Sequence, residues 1–260
     1  MGLKILAPAI AALAVATPTQ FLEAQQQPGG GFAEASGLAS PALTAWAALG
    51  LAAAGKPSTG ALDYLRQHQS DPVPPATRAL VALASAALGD GGPARALPPS
   101  PAQTNTIIWT ILARRQAGLP VPRSLVSALR ARQAKSGGWG WDKGVAPDSN
   151  DTAAAVQALR AAGVSGRPVR RALDYLRSVR AANGGFALAR GRDPDAQSTA
   201  WAIQAFLAAD ARVPDRAFGF LRSLLRPDGS YGYSRRYTTT PVWVTAQVLP
   251  ATVKKPFPLR

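Results

Sequence analysis

Asp151-Thr-Ala-Ala-Ala-Val-Gln-Ala-Leu159 returns 47 residues later as Ser198-Thr-Ala-Trp-Ala-Ile-Gln-Ala-Phe206, and the pairs Pro147-Asp148 and Pro194-Asp195 precede the two copies at the same offset. An earlier copy is Thr44-Ala-Trp-Ala-Ala-Leu49, and a drifted later one is Thr240-Pro-Val-Trp-Val-Thr-Ala-Gln247. Repetition at this period marks stacked supersecondary units, each burying its apolar face against its neighbours.

The repeated stretches are apolar almost all round, which places a helix on the inside. Six segments read this way: Ala42 to Ala54, Thr77 to Leu88, Asn105 to Ala117, Thr152 to Ala162, Thr199 to Ala208 and Val242 to Leu249. Between them lie amphipathic segments with arginine opposite leucine and aromatics: Ala61 to His68, Arg123 to Arg132, Val169 to Arg180 and Asp215 to Leu225. These are expected to be outer helices facing water. Gly and Pro punctuate the junctions, as in Gly163-Val-Ser-Gly-Arg-Pro168, ending one helix and starting the next. The outer helix after the second inner one is nearly missing, squeezed into Pro93 to Pro101. The sequence is therefore all-α, and its period alone leaves a closed ring and an open solenoid as alternatives.

Composition bounds what such a chain can do. With 260 residues and 47% apolar side chains, it can bury one large core despite 24 Gly and 23 Pro. There is no cysteine and one histidine, His68. No cofactor is expected, and a protein-held zinc is not, since zinc is ordinarily held by Cys and His. The formal charge of +15 attracts anionic surfaces, including those of a cell envelope. The arginines are spread along the chain without aromatic-basic interleaving, so nucleic acid is not an expected partner. Oligomeric state is not legible.

Residues 1–16 read as an export signal. Lys4 gives the positive flank, Ile5 to Val15 the apolar core and Ala14-Val15-Ala16 a small-x-small cleavage site. The stretch is too short to span a bilayer, and the competing reading, a first helix from Leu3, is interrupted by Pro8 and Pro18. Export from a bacterial cell, with 17–260 as a single domain, is the expectation.

The turn segments carry the most specific signal. Phe21-Leu22 leads to Gln26 and Gly30-Gly31-Phe32. Looser copies run from Ala128-Leu129 through Gln133 to Gly137-Gly138-Trp139, from Tyr175-Leu176 through Arg180 to Gly184-Gly185-Phe186, and from Phe220-Leu221 through Leu225 to Gly229-Ser230-Tyr231. Tyr64-Leu65 with Gln69 has lost its glycine turn. This pattern resembles the Gln-Trp repeat of squalene-hopene and oxidosqualene cyclases, and of prenyltransferase-type domains, over roughly residues 20 to 250. The resemblance implies an α/α toroid whose inner helices surround a cavity. Six helices about 10 Å apart put their axes on a circle of radius about 10 Å and leave a lumen of radius about 5 Å. Ala-rich inner faces are expected to keep it clear, with room for an apolar or isoprenoid-like ligand.

Asp148-Ser-Asn-Asp151-Thr-Ala153 is similar to the Asp-x-Asp-Asp-Thr-Ala motif of class II terpene cyclases, whose central Asp protonates an alkene or epoxide. Here that position is Asn150, and an amide cannot donate the proton. A cyclase-like enzyme would have to use Asp148 or Asp151. The competing structural reading has Asp151 and Ser198 capping inner helices that begin at the following Thr. Prenyltransferase chemistry would require a zinc-binding Cys that is absent.

Candidate ligand-binding residues are Trp46, Trp139, Trp141, Trp201, Trp243, Tyr231 and Tyr233. Aromatics converging on one mouth can line a pocket or face a cation, and such repeated residues also serve to cement hairpins. Trp46 and Trp201 stand at equivalent inner-helix positions. Arg235 and Arg236 are candidates for an anionic headgroup. The expected function is an exported, non-catalytic toroid binding an apolar ligand or an envelope partner. The alternatives are a class II cyclase-like enzyme and a structural interaction module with a filled lumen.

Overall fold

A computed structural model describes residues 16–35 and 37–259. The expected export signal lies outside the described residues except for Ala16.

Six long helices form an inner ring: α2 (Pro41–Ala53), α4 (Pro75–Ala87), α6 (Thr104–Gln116), α8 (Ser149–Ala161), α10 (Ala196–Ala208) and α12 (Pro241–Thr252). Each is 12 or 13 residues long, which makes the ring about 20 Å tall at about 1.5 Å per residue. Shorter helices form an outer layer: α1 (Pro18–Ala24), α3 (Thr59–Gln67), α5 (Gly92–Arg95), α7 (Arg123–Ala131), α9 (Arg167–Ser178) and α11 (Ala217–Arg222). The stub α5 occupies the segment where the sequence left little room for an outer helix. The sole sheet among the described residues is a two-residue hairpin, β1 (Phe186–Ala187) with β2 (Pro194–Asp195). Among the described residues, no helix is long and apolar enough to cross a membrane.

Consecutive inner helices pack side by side, and α12 packs back on α2. The ring is therefore closed, the arrangement that the resemblance implied and the period left open. At the seam a Cβ on Gly50 would lie 2.7 Å from the Ala246 carbonyl oxygen, so the two backbones touch.

The glycine turns fasten each hairpin to the next. The first glycine of each has φ between +84° and +96°, open to glycine at little cost. A Cβ there would strike backbone at the start of the next outer helix: Gly60 from Gly30, Arg171 from Gly137, Arg216 from Gly184 and Thr17 from Gly229. The last of these joins the final turn to α1 and completes the circle. The turn aromatic then donates its amide to a threonine of the following inner helix: Phe32 to Thr44, Trp139 to Thr152, Phe186 to Thr199 and Tyr231 to Thr245, at 2.8–2.9 Å. The motif glutamine ties the turn to the next outer helix. Gln26 Nε2 donates to the Gly30 carbonyl and to Ser58 Oγ, the N-cap of α3, and Gln133 Nε2 donates to the carbonyls of Gly137 and Pro168.

Candidate functional site

The axis of the ring is occupied by side chains. Trp46, Trp109 and Trp201 are each the sixth residue of alternate inner helices, α2, α6 and α10. Their indoles meet edge to face with centroids 5.5, 5.7 and 5.7 Å apart. Three rings from alternate helices of a six-membered ring can touch one another only at its axis. The expectation of a clear lumen is thus corrected: alanines bring the helices close, but the tryptophans between them fill the space. Trp201 Nε1 donates to Gln247 Oε1 at 2.8 Å, a buried partner that holds its indole in place.

From the side of the inner helices' C-terminal ends, the C-terminal segment closes the ring. Phe257 lies 6.0 Å from Trp201, and its amide donates to Gln157 Oε1 at 2.7 Å. The Gln116 amide brackets the backbone of Leu259, accepting its N–H at 2.6 Å and donating to its carbonyl at 3.2 Å. Trp46 and Trp109 are only partly buried; the opposite mouth of the ring is where the inner helices begin.

At that mouth sits the acidic motif. Helix α8 begins at Ser149, one turn earlier than the sequence suggested, so its N-cap is Asp148 and not Asp151. Asp148 Oδ1 accepts the Asp151 amide at 2.8 Å. In the next repeat Asp195 Oδ1 accepts the Ser198 amide at 2.7 Å, and Asp195 Oδ2 accepts the Ser198 hydroxyl at 2.8 Å. Asp151 stands where Ser198 does, and it can donate to its capping aspartate only as a neutral acid. Burial first, then the Asp148 charge, pushes the Asp151 carboxyl up to about 8. Burial also raises Asp148, against the hydrogen bonds that it accepts. Asn150, beside them, receives the Ser149 hydroxyl at 3.3 Å.

The other candidates divide into wall and rim. Trp139 is fully buried and donates Nε1 to the Leu129 carbonyl at 2.7 Å. Tyr231 is buried as well. Both pack in the wall between hairpins. Trp243 packs half-buried at the start of α12, and Trp141 stands exposed on the loop before α8. Tyr233, Arg235 and Arg236 line a groove of about 990 Å3 on the rim, with partners that no sequence motif marks.

This groove runs between α11 and two loops, 188–195 and 233–237. Leu188, Phe220, Leu224 and Tyr237 supply its apolar surface. Arg192 and Arg216 join Arg235 and Arg236 along its edge. Tyr233 donates to Asp195, the α10 cap; burial and then that carboxylate push the phenol up to about 12. Arg192 lies on the loop before α10, Arg216 and Phe220 on the first turn of α11, and Arg235 and Arg236 on the loop before α12, so their convergence had no linear signature.

No protein-family model matches the sequence, and no curated protein does. Solved structures do. A protein from Actinoplanes aligns over 91% of this chain and 97% of its own, with TM-score 0.67 and 20% identity. A variant of the type II terpene cyclase MstE from Scytonema, in complex with its substrate geranylgeranyl dihydroxybenzoate, aligns over 91% and 95% with TM-score 0.65 and 18% identity. The ent-copalyl diphosphate synthase from Streptomyces platensis aligns over 82% of this chain and 50% of its own, with TM-score 0.59 and 20% identity. The chain has the terpene-cyclase α/α-toroid fold. At these identities the likeness extends to the fold and no further. Within this toroid the three indoles and the C-terminal segment occupy the axis, and the cavity of ligand size described above lies on the rim.

Proposed function

We propose that this protein is an exported, non-catalytic toroid that binds a small amphiphilic ligand at its rim. The carrying observation is the contact of Trp46, Trp109 and Trp201 across the axis, which takes from the ring the space that a folded polyprenyl chain would need. The rim groove is in the usual size range of ligand sites, roughly 300–1,000 Å3, and pairs apolar walls with a charged edge. Asn150 at the position of the cyclase acid supports a non-catalytic reading, and the substrate bound by MstE makes an apolar chain a reasonable class of ligand. Export rests on Lys4, the apolar run and Ala14-Val15-Ala16. Native mass spectrometry of the protein purified from its own host tests the reading. A copurifying amphiphile is expected, and a mature chain beginning after Ala16. Ligand-free protein with an intact N-terminus argues against both parts.

A second reading, a class II cyclase-like enzyme, is favoured by the raised carboxyls of Asp151 and Asp148, paired at the ring mouth. Incubation with squalene, epoxysqualene and shorter polyprenyl substrates decides it. Turnover abolished by Asp148→Ala or Asp151→Ala overturns the non-catalytic reading.

A further inference from the structure

We infer that the rim groove is a site for a single-chain amphiphile with a phosphate monoester headgroup. This deepens the rim-binding reading above and rests on it.

Charge gives the headgroup. Four guanidinium groups, from Arg192, Arg216, Arg235 and Arg236, face the groove against two carboxylates, Asp193 and Asp195. Among the described residues none of the four forms an ion pair, whereas Arg66, Arg132, Arg160, Arg177 and Arg212 each have an aspartate within 4.0 Å. Asp195 is already engaged by the Ser198 amide and hydroxyl and by Tyr233. The local excess of two positive charges matches a phosphate dianion, and planar guanidinium forks suit its tetrahedral oxygens. Arg236 lies over the Tyr237 ring, 5.5 Å from its centroid, a contact that favours this placement of the guanidinium.

Shape gives the tail. Leu188 and Tyr237 are 36% and 54% exposed, large apolar surfaces left wet beside Phe220 and Leu224. Gly219 lies inside α11 with an ordinary helical φ, and a Cβ built on it meets no atom within 4 Å. Helix propensity favours Ala over Gly there by about 1 kcal/mol. Neither backbone strain nor crowding calls for glycine; what its missing side chain provides is room in the groove.

Calorimetric titration of the full chain with dodecyl phosphate below its micelle concentration tests the assignment, with dodecyl maltoside, dodecyltrimethylammonium and inorganic phosphate as comparisons. Dodecyl phosphate is expected to bind at least tenfold tighter than each of these, and more weakly as salt rises. Arg235→Glu with Arg236→Glu should weaken it at least tenfold. Gly219→Leu should abolish binding while the melting temperature is unchanged or raised. Farnesyl phosphate and lysophosphatidic acid, run in parallel, tell an isoprenyl from an acyl chain. Equal binding of maltoside and phosphate, indifferent to the arginine changes, overturns the headgroup and leaves the rim-binding reading standing. Binding unaffected by Gly219→Leu overturns the location. No binding of any amphiphile to the folded protein sinks both readings.

Discussion

The Glu34 carboxylate accepts the Trp243 amide at 2.9 Å with Oε1 and the Val242 amide at 3.1 Å with Oε2, across 209 and 208 residues of chain. Elsewhere in the ring the residue two places after the turn aromatic performs this task with its backbone. The carbonyls of Trp141, Leu188 and Tyr233 accept the amides of Asn105, Ser149 and Ala196, each near the start of the preceding inner helix. Glu34 stands two places after Phe32, and at the seam its side chain replaces the carbonyl. The anion also lies at the positive end of the α12 dipole.

Glu34→Ala therefore leaves two helix-start amides unpaired at the one junction that sequence continuity does not enforce. A loss of about 1–3 kcal/mol is expected in urea unfolding. Hydrogen exchange should rise first at α1 and α12. A uniform rise around the ring would count against a seam.

Trp201→Ala removes the best buried of the three axial indoles and leaves Gln247 without its indole partner. The expected cost is about 3–5 kcal/mol. An apolar dye excluded from the parent protein should enter the void. If stability and dye exclusion are both unchanged, the indoles do not fill the axis.

Gly137→Ala and Gly163→Ala differ in a way that isolates the turn contact. Both glycines have positive φ, +96° and +81°. A Cβ on Gly163 meets nothing, whereas one on Gly137 strikes the Arg171 backbone. Gly163→Ala should cost about 1–2 kcal/mol, and Gly137→Ala about 2–5 kcal/mol. Equal costs from thermal melts would remove the packing role assigned to the turn.

Asp151 makes stability depend on pH in an unusual direction. Its carboxyl is raised to about 8 in the fold, against about 3.9 for an unfolded aspartate. The unfolded chain gives up this proton first, so the contribution is complete below about pH 4 and is lost as pH rises toward 8. Asp151→Asn keeps the shape and carries no charge. Its melting temperature relative to the parent should climb between pH 4 and 8 and level off above. A pH-independent difference would place no proton on Asp151.

The inner helices were legible because alanine-rich segments that are apolar on every side have nowhere to go but between other helices. The glycine turns were legible because positive φ and close backbone approach restrict the residue type. The visible repeat mark, Thr152, places the start of α8 one turn late, because the cap, Asp148, acts three residues ahead of the amide that it satisfies. Trp46 and Trp201 were matched by their repeat; Trp109 was not, although it too is sixth in its helix. Arg235 and Arg236 could be named, but Arg192, Arg216 and Gly219 could not, because the loops and helix that bring them together are distant in the chain.

By itself, the sequence determined the helical class, the inner and outer layers and the hairpin-to-hairpin fastening, all set by local periodicity and by contacts between one repeat and the next. Only the tertiary structure decided that the ring closes through Glu34, that three indoles occupy its axis and that the roomy cavity lies on the rim. Those features depend on the rotation accumulated over six repeats, and a small angle per hairpin, invisible in any one of them, sets which residues meet at the end.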